Sequence, residues 1–379
     1  MMSNFQTDVK HSSTLKLSQI SASLESQLGG PVQVVKLSND FMEKYFDHTL
    51  IIFGSSDEDI PKSIRVPTFR NNRYGFFTTH LTKSVRQKIR DSDLILIHGF
   101  YLFSTLAGIA LTKKGKIFIM PHGSLENYQN SSGRFRKLIF DFCFKILNKS
   151  REIEFLVGSA QEINGVTRKF PKNLVRVVGI GIDTVPQQFL HQEFTNSPLR
   201  LLCLSRITKK KRIDLCIEAI KSLQDRGIPV LLTIAGNGDE ALLRDLVQLA
   251  KLERVETIVD FVGFVDGDDK HKLYRESDIL LLPSENENFA IAIAEAIAHQ
   301  VPVVVSDAVA MHSFVNAHNT GIVISELNAE VLADAIISLN SDYYQKWNGC
   351  VNSKYLLDWH LVFNVWLEAL DVQKRSQSR

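Results

Sequence analysis

Residues 279–307, ILLLPSENENFAIAIAEAIAHQVPVVVSD, decide the fold. Ile279–Leu282 is a short apolar run closed by Pro283 and Ser284, the pattern of a strand covered on both faces. The run from Ala290 to Ala298 reads as a closely packed helix of small residues, and Pro302–Ser306 as the next strand. Strand, loop, helix and strand in this order form the unit of a parallel α/β sheet, whose ligands sit beyond the carboxyl ends of the strands, near helix N-termini. The loop Ser284–Phe289 is therefore the first place to look for chemistry. Glu287 and Glu295 stand in a Glu-x7-Glu spacing, one on the loop and one about one and a half turns inside the helix. The amides of Asn288, Phe289 and Ala290 form the expected helix N-terminus facing the cleft. The helix dipole alone is reason enough for acidic residues at this end, most simply for Glu285. It does not account for Glu295, because a carboxylate within an apolar helix needs a partner.

The same alternation runs outward in both directions. Strands are expected at Leu15–Ile20, Thr49–Phe53, Leu94–Ile97, Ile117–Met120, Glu154–Val157 and Val175–Val178, and again at Arg200–Leu204, Val230–Ile234, Ile258–Phe261, Ile279–Leu282, Pro302–Ser306 and Gly321–Ile324. Asp183–Pro198 carries no apolar period and reads as a linker. The expected fold is α/β, with two Rossmann-like domains whose parallel sheets face a cleft. Residues 1–182 form the first domain, 183–198 the linker, and 199–357 the second domain. Residues 358–379 form a C-terminal helix that packs back on the first domain, followed by a frayed tail.

At 379 residues, with 44% hydrophobic and 23% charged residues, the composition excludes disorder, collagen and a disulfide scaffold. No apolar run approaches the ~20 residues of a membrane span. Met1–Ser12 lacks an apolar core, so no secretory signal is expected and the expected location is cytoplasmic. Cys143, Cys203, Cys216 and Cys350 are scattered and expected to be reduced. The net charge of +2 hides an asymmetry: residues 1–180 hold 25 Lys and Arg against 15 Asp and Glu, the remainder 19 against 27. A basic half points to an anionic partner, whether nucleic acid, a membrane surface or a phosphorylated substrate.

Three more strand-to-helix loops carry candidate groups. Leu204–Arg212 gathers Arg206, Lys209, Lys210, Lys211 and Arg212, cations suited to a diphosphate, although a charge run such as Lys209-Lys210 is more often a solvated face. Gly29-Gly30-Pro31 lets backbone amides approach a phosphate, and is equally an ordinary turn. Pro121-His122-Gly123 presents an imidazole at the end of a strand, where a lone histidine is more often structural. A dinucleotide oxidoreductase is poorly supported, since Ala235-Gly236-Asn237-Gly238 lacks the third glycine of that fingerprint.

Taken together these loops resemble the retaining glycosyltransferases of family 4, which have the GT-B fold. The resemblance is strongest in LSRITKKKRIDLCIEAI, LLTIAGNGDE and the run from VDFVGFVDG through VPVVVSD, and extends to GGP, MPHGSLE, LVGSAQE and VGIGID in the first half. It implies that the second domain binds a nucleotide-sugar donor and the first an acceptor. Glu295 would bond the ribose hydroxyls, Arg206 and Lys211 would hold the diphosphate, and Gly29 and Gly30 would close over the phosphates. Glu287 and the amides of Asn288, Phe289 and Ala290 would address the sugar, His122 would lie by the reacting carbon, and Phe264 and Val265 would cradle the base. The implied activity is hexosyl transfer to a glycan or lipid-linked saccharide in bacterial cell-surface polysaccharide synthesis, such as lipopolysaccharide or exopolysaccharide. The rival is a catalytically silent nucleotide-sugar-binding or regulatory protein. Against the family pattern, Arg212, Ala290 and Gln300 stand where glycine is common, and Ile180 where asparagine often precedes Gly-Ile-Asp.

Two further expectations follow. Ser132–Lys149 combines five cations with many apolar residues, suited either to an anionic bilayer surface or to a helix packed on the sheet with its basic side in water. No metal or other cofactor is expected, and no nucleic acid partner, although Asp57-Glu58-Asp59, Asp91-Ser92-Asp93 and Asp266-Gly267-Asp268 have the Asp-x-Asp form that other glycosyltransferases use to hold a divalent ion. The last of these reads as a turn and helix cap.

Overall fold

The computed structural model of the protein describes residues 15–26, 29–68, 81–126, 134–191, 194 and 198–370. Met1–Ser12, Ser132 and the tail Gln373–Arg379 lie outside the described residues.

Among the described residues thirteen strands form two all-parallel sheets. The first contains β1 (Lys16–Ser21), β2 (Asp47–Phe53), β3 (Ser63–Val66), β4 (Leu94–His98), β5 (Lys116–Met120), β6 (Ile153–Val157) and β7 (Leu174–Val177), in the order 3-2-1-4-5-6-7. The second contains β8 (Leu199–Leu204), β9 (Val230–Ala235), β10 (Val259–Gly263), β11 (Ile279–Leu282), β12 (Val303–Ser306) and β13 (Gly321–Ile324), in the order 10-9-8-11-12-13. The expected twelve strands are present within a residue or two. β3 is the addition: Ser63-Ile64-Arg65-Val66 is a four-residue edge strand beside β2, flanked by Pro61 and Pro67, too short and too polar to read as a strand alone.

β4, β5, β11 and β12 are buried along their whole length, because helices cover both faces of each sheet. In both sheets the order reverses beside the first strand, between β1 and β4 and between β8 and β11. These reversals leave crevices at the carboxyl ends of the strands, and the two crevices face each other.

The chain passes between the halves twice along one seam. Ile182 donates its N–H to the Leu357 carbonyl at 2.9 Å and accepts from Trp359 N at 3.0 Å, and Gly181 lies so close to Trp359 that a Cβ would meet its Cα at 2.6 Å. The helix Trp359–Ala369 then packs Trp359, Phe363 and Trp366 into the first domain's core with Leu17, Phe41 and Met42, and Trp366 Nε1 donates to the Gly179 carbonyl at 3.2 Å.

Candidate active site

The twelve residues singled out from the sequence line one cavity between the domains. From the first sheet come Gly29, at the start of the helix Gly30–Tyr45 after β1, and His122, after β5. From the second come Arg206 and Lys211 after β8, Phe264 and Val265 after β10, and the loop and helix after β11. Gly29 adopts φ 80° and ψ −147°, a conformation that side chains disfavour, although the space beside it would admit a Cβ at 3.5 Å from Arg206 Cδ. Gly29 and Arg206 thus meet across the cleft. Phe289 and Ile291 pack against the cores of both domains, and Ser159 Oγ donates to Asn288 Oδ1 at 3.2 Å across the same interface.

Glu287 is enclosed by two cations, Lys211 Nζ at 2.8 Å and Lys210 Nζ at 3.0 Å. Burial pushes the Glu287 carboxyl up, but the two ammonium groups outweigh it and hold the carboxyl below its ordinary value. Burial lowers the Lys211 pKa despite the opposing pull of Glu287, so Lys211 is a charge under desolvation strain that a second anion relieves.

Glu295 has the partners its helix position demanded: Lys270 Nζ at 2.7 Å and Tyr274 Oη at 2.9 Å. Burial works against the Lys270 charge, yet Glu295 with Asp266 and Asp183 raises its pKa above the ordinary value. Burial drives the Tyr274 hydroxyl well up, so it stays a donor. Among the six charged groups Arg206, Lys210, Lys211, Lys270, Glu287 and Glu295, four are cations, so the cavity favours a polyanion.

His122 lies in the wall with φ 53°. Its Nε2 is 3.0 Å from Nδ1 of His98, and Glu162, itself buried, accepts from the amide of Gly123 at 2.5 Å. Burial lowers the His122 pKa to about 4, so the ring is neutral at pH 7. Burial raises the Glu162 carboxyl, against the amide hydrogen bonds that favour its charge.

Several expectations are corrected. The helix N-terminus lies later than Asn288–Ala290: the helix spans Ile291–Ala298, and Ala290 is its N-cap at φ 61°. Lys210 is no solvated residue, since it lines the cavity on Glu287, whereas Lys209 is exposed. Asp57 and Asp59 are engaged elsewhere: Asp57 accepts from Ser26 N at 2.6 Å and pairs with Lys36 at 3.3 Å, and Asp59 pairs with Arg65 at 3.3 Å. Asp93 accepts from Lys16 N at 2.9 Å, at the opposite end of the strands. Asp266 does cap the helix Gly267–Arg275. The four cysteines are free, and all but Cys143 are buried.

Sequence reasoning missed Lys270 as a cavity cation and Gln19, His48 and His98 behind His122. Polar residues inside the apolar strands β1, β2 and β4 were the available signal for the latter three.

The two doubly wound sheets facing a cleft define a GT-B architecture. Within it, residues 187–352 match the family described as glycosyl transferases group 1. AmsK, an amylovoran biosynthesis glycosyltransferase of Erwinia amylovora, is 30% identical over 177 residues, 45% of this chain and 43% of AmsK. WcaL, a putative colanic acid biosynthesis glycosyltransferase of Escherichia coli strain K12, is 27% identical over 177 residues, 45% of this chain and 43% of WcaL. The chain thus spans less than half the length of these curated relatives. Anabaena Alr3699/HepE in complex with UDP and glucose superposes with a TM-score of 0.72 at 15% identity, covering 95% of this chain and 99% of that one. WaaG, a glycosyltransferase involved in lipopolysaccharide biosynthesis, gives 0.68 at 14% identity, covering 94% and 99%. At such identities the likeness is one of fold.

Proposed function

We propose that this chain is a retaining glycosyltransferase that moves a hexose from a nucleoside-diphosphate sugar to a glycan or lipid-linked saccharide in bacterial surface polysaccharide synthesis. The observation that carries the reading is the Glu287 carboxylate held between Lys210 and Lys211 in a cavity that also holds Glu295 on Lys270. A diphosphate entering beside Arg206 and the two lysines relieves the desolvation of buried Lys211, and Glu295 accepts from ribose hydroxyls. As the bond between the sugar and the diphosphate breaks, negative charge grows on the leaving phosphate next to fixed cations, while positive charge grows on the sugar towards Glu287. The acceptor hydroxyl oxygen forms the new bond to the sugar carbon, and its proton passes to the departing diphosphate oxygen, on which the negative charge has grown. The names of AmsK and WcaL support the polysaccharide setting, and the UDP and glucose bound by HepE support the donor class.

Location is part of the reading. The helix Arg134–Asn148 buries Phe140 and Phe144 yet turns Phe135, Leu138, Ile139, Phe142 and Ile146 outward, each at least half exposed, beside exposed Lys145 and Lys149. An apolar stripe flanked by cations fits the interfacial layer of an anionic membrane. Among the described residues no helix is long and apolar enough to cross one.

The test is calorimetry with a panel of nucleoside-diphosphate sugars, followed by assays for slow donor hydrolysis without acceptor and for transfer to glycan acceptors. Binding of one donor with turnover supports the reading. Binding without turnover identifies a silent binding protein, and no binding across the panel overturns the donor class.

A further inference from the structure

We infer that His122 meets its ligand as a neutral hydrogen-bond donor through Nδ1, and that Gln19 and His98, which lie outside the cavity wall, are positioning residues that set this tautomer. The inference takes the identity of the ligand from the glycosyl-transfer reading, while the tautomer is a property of the unliganded protein.

Behind His122 a line of polar groups runs through the interior of the first sheet. His122 Nε2 lies 3.0 Å from His98 Nδ1, His98 Nε2 lies 2.9 Å from Gln19 Nε2, and Gln19 Oε1 lies 3.0 Å from His48 Nε2. The two imidazole rings of His98 and His122 are nearly parallel, at 16°. Gln19, His98 and His48 sit on β1, β4 and β2, and none is more than 5% exposed. Polar groups so far from water persist only where their hydrogen bonds are made, so the donors and acceptors must match along the line.

The matching allows one direction. Ser38 Oγ donates to the Val35 carbonyl at 3.0 Å, so it accepts from Gln19 Nε2 at 2.9 Å, which fixes the orientation of the amide. The second N–H of that amide then donates to His98 Nε2. His98 carries its proton on Nδ1 and donates it to His122 Nε2, so the proton of His122 resides on Nδ1. Gln19 Oε1 accepts from His48 Nε2–H, and the remaining His48 Nδ1, which has no partner among the described residues, is a bare lone pair. Turning the amide over reverses every role: Ser38 Oγ, its proton held by the Val35 carbonyl, faces the amide oxygen and loses its donor, and His48 must bury an unpaired N–H, the more costly orphan.

The rings are neutral in this state. Burial lowers His48 and His122 to about 4, and His98 well below its ordinary value. His122 Nδ1 has no protein partner among the described residues and is the atom left for a ligand oxygen. At neutral pH His122 thus offers neither a positive charge nor a proton-accepting nitrogen to the cleft.

Two-bond proton–nitrogen correlation spectra of the histidine-labelled full chain, without ligand and near neutral pH, read the tautomer directly. The expected pattern is Nδ1–H, Nε2 bare for His122. His98→Asn keeps an N–H donor close to the Nδ1 position and retains this pattern. His98→Phe and Gln19→Leu break the line at two separate points and yield a tautomer mixture at His122, so a folding failure in one leaves the other to be read. In transfer assays His98→Phe lowers kcat about tenfold, the scale of one lost hydrogen bond, and His98→Asn restores most of it. A native His122 that is Nε2-protonated or cationic overturns the inference, as does an unchanged tautomer in both breaking variants. Absence of any transfer by the native chain overturns the functional reading instead, and leaves the spectra to decide the tautomer.

Discussion

Glu287 and Lys211 face each other at 2.8 Å, and each side chain is nearly withdrawn from water. An anionic ligand that reaches Lys211 must share it with this carboxylate, so on the proposed reading the pair stands between the diphosphate and the sugar. Glu287→Ala leaves Lys210 and Lys211 without this carboxylate and, on the proposed reading, removes the group facing the developing positive charge, so kcat is expected to fall by ~10²-fold or more. On the proposed reading Glu295 bonds ribose in ground and transition states alike, so Glu295→Ala is expected mainly to raise donor KM. Steady-state kinetics on both variants decide between these outcomes, and unchanged constants for both would remove the site.

The His48 pKa, lowered by burial from 6.5 to about 4, predicts a pH dependence of stability. Between those values the unfolded chain binds a proton that the folded chain does not, so stability rises with pH through the window and is lost as pH falls through it. For this one side chain the linkage amounts to ~3 kcal/mol at most. His48→Gln removes that slope. Urea titrations of both proteins at the two ends of the window measure the difference.

Arg212, Ala290 and Gln300, the three positions where the family pattern favours glycine, all have left-handed backbone, with φ of 51°, 61° and 65°. Gln300 follows the helix Ile291–Ala298 in a Schellman turn, with Gln300 N on the Ile297 carbonyl at 3.0 Å and Val301 N on that of Ala296 at 2.8 Å. Gln300→Gly relieves a cost of ~1–2 kcal/mol, partly offset by glycine's own entropy, for a net gain of up to ~1 kcal/mol. A thermal melt detects the gain, with activity unchanged. Ala290→Gly carries the same stabilisation and also removes a methyl group from the cavity wall, so it alters donor KM as well.

Transfer activity is expected to persist in excess EDTA, because Arg206, Lys210, Lys211 and the helix N-terminus at Ile291 are placed to neutralise a diphosphate. Asp57→Ala/Asp59→Ala is nearly silent, while Lys211→Ala is severely impaired. Loss of turnover in EDTA with recovery on manganese, together with a dead double variant, would contradict this chemistry.

The outward stripe of the helix Arg134–Asn148 predicts binding to vesicles containing anionic lipid, weakened by salt, with Phe135→Ser/Phe142→Ser remaining in the supernatant. Co-sedimentation with anionic and neutral vesicles at two salt concentrations is the measurement. A native protein that stays in the supernatant with both lipids refutes membrane contact.

What the sequence disclosed depended on how local each signal was. The strands are apolar runs closed by turn residues, so twelve of them could be read directly, whereas β3 takes its identity from pairing with β2. Glu295 announced itself as a carboxylate in an apolar helix, but Lys270 and Tyr274, 25 and 21 residues earlier, become its partners only when the helix Gly267–Arg275 packs beside it. Lys210 looked like part of a solvated run because nothing local reveals that the loop after β11 folds over it. The line from His48 to His122 joins residues on three strands and the loop after a fourth, so only the sheet order assembles it.

The seam where Ile182 bonds to Leu357 and Trp359 also orders the making of the protein. Trp359, Phe363 and Trp366 complete the core of the first domain, yet they leave the ribosome after the whole second domain. The first-made half therefore waits, with part of its apolar surface uncovered, while the later-made half can already close around its own sheet. A chain halted before Trp359 would carry a finished second domain attached to an unfinished partner, and that partner is the half exposed to aggregation and proteolysis during synthesis.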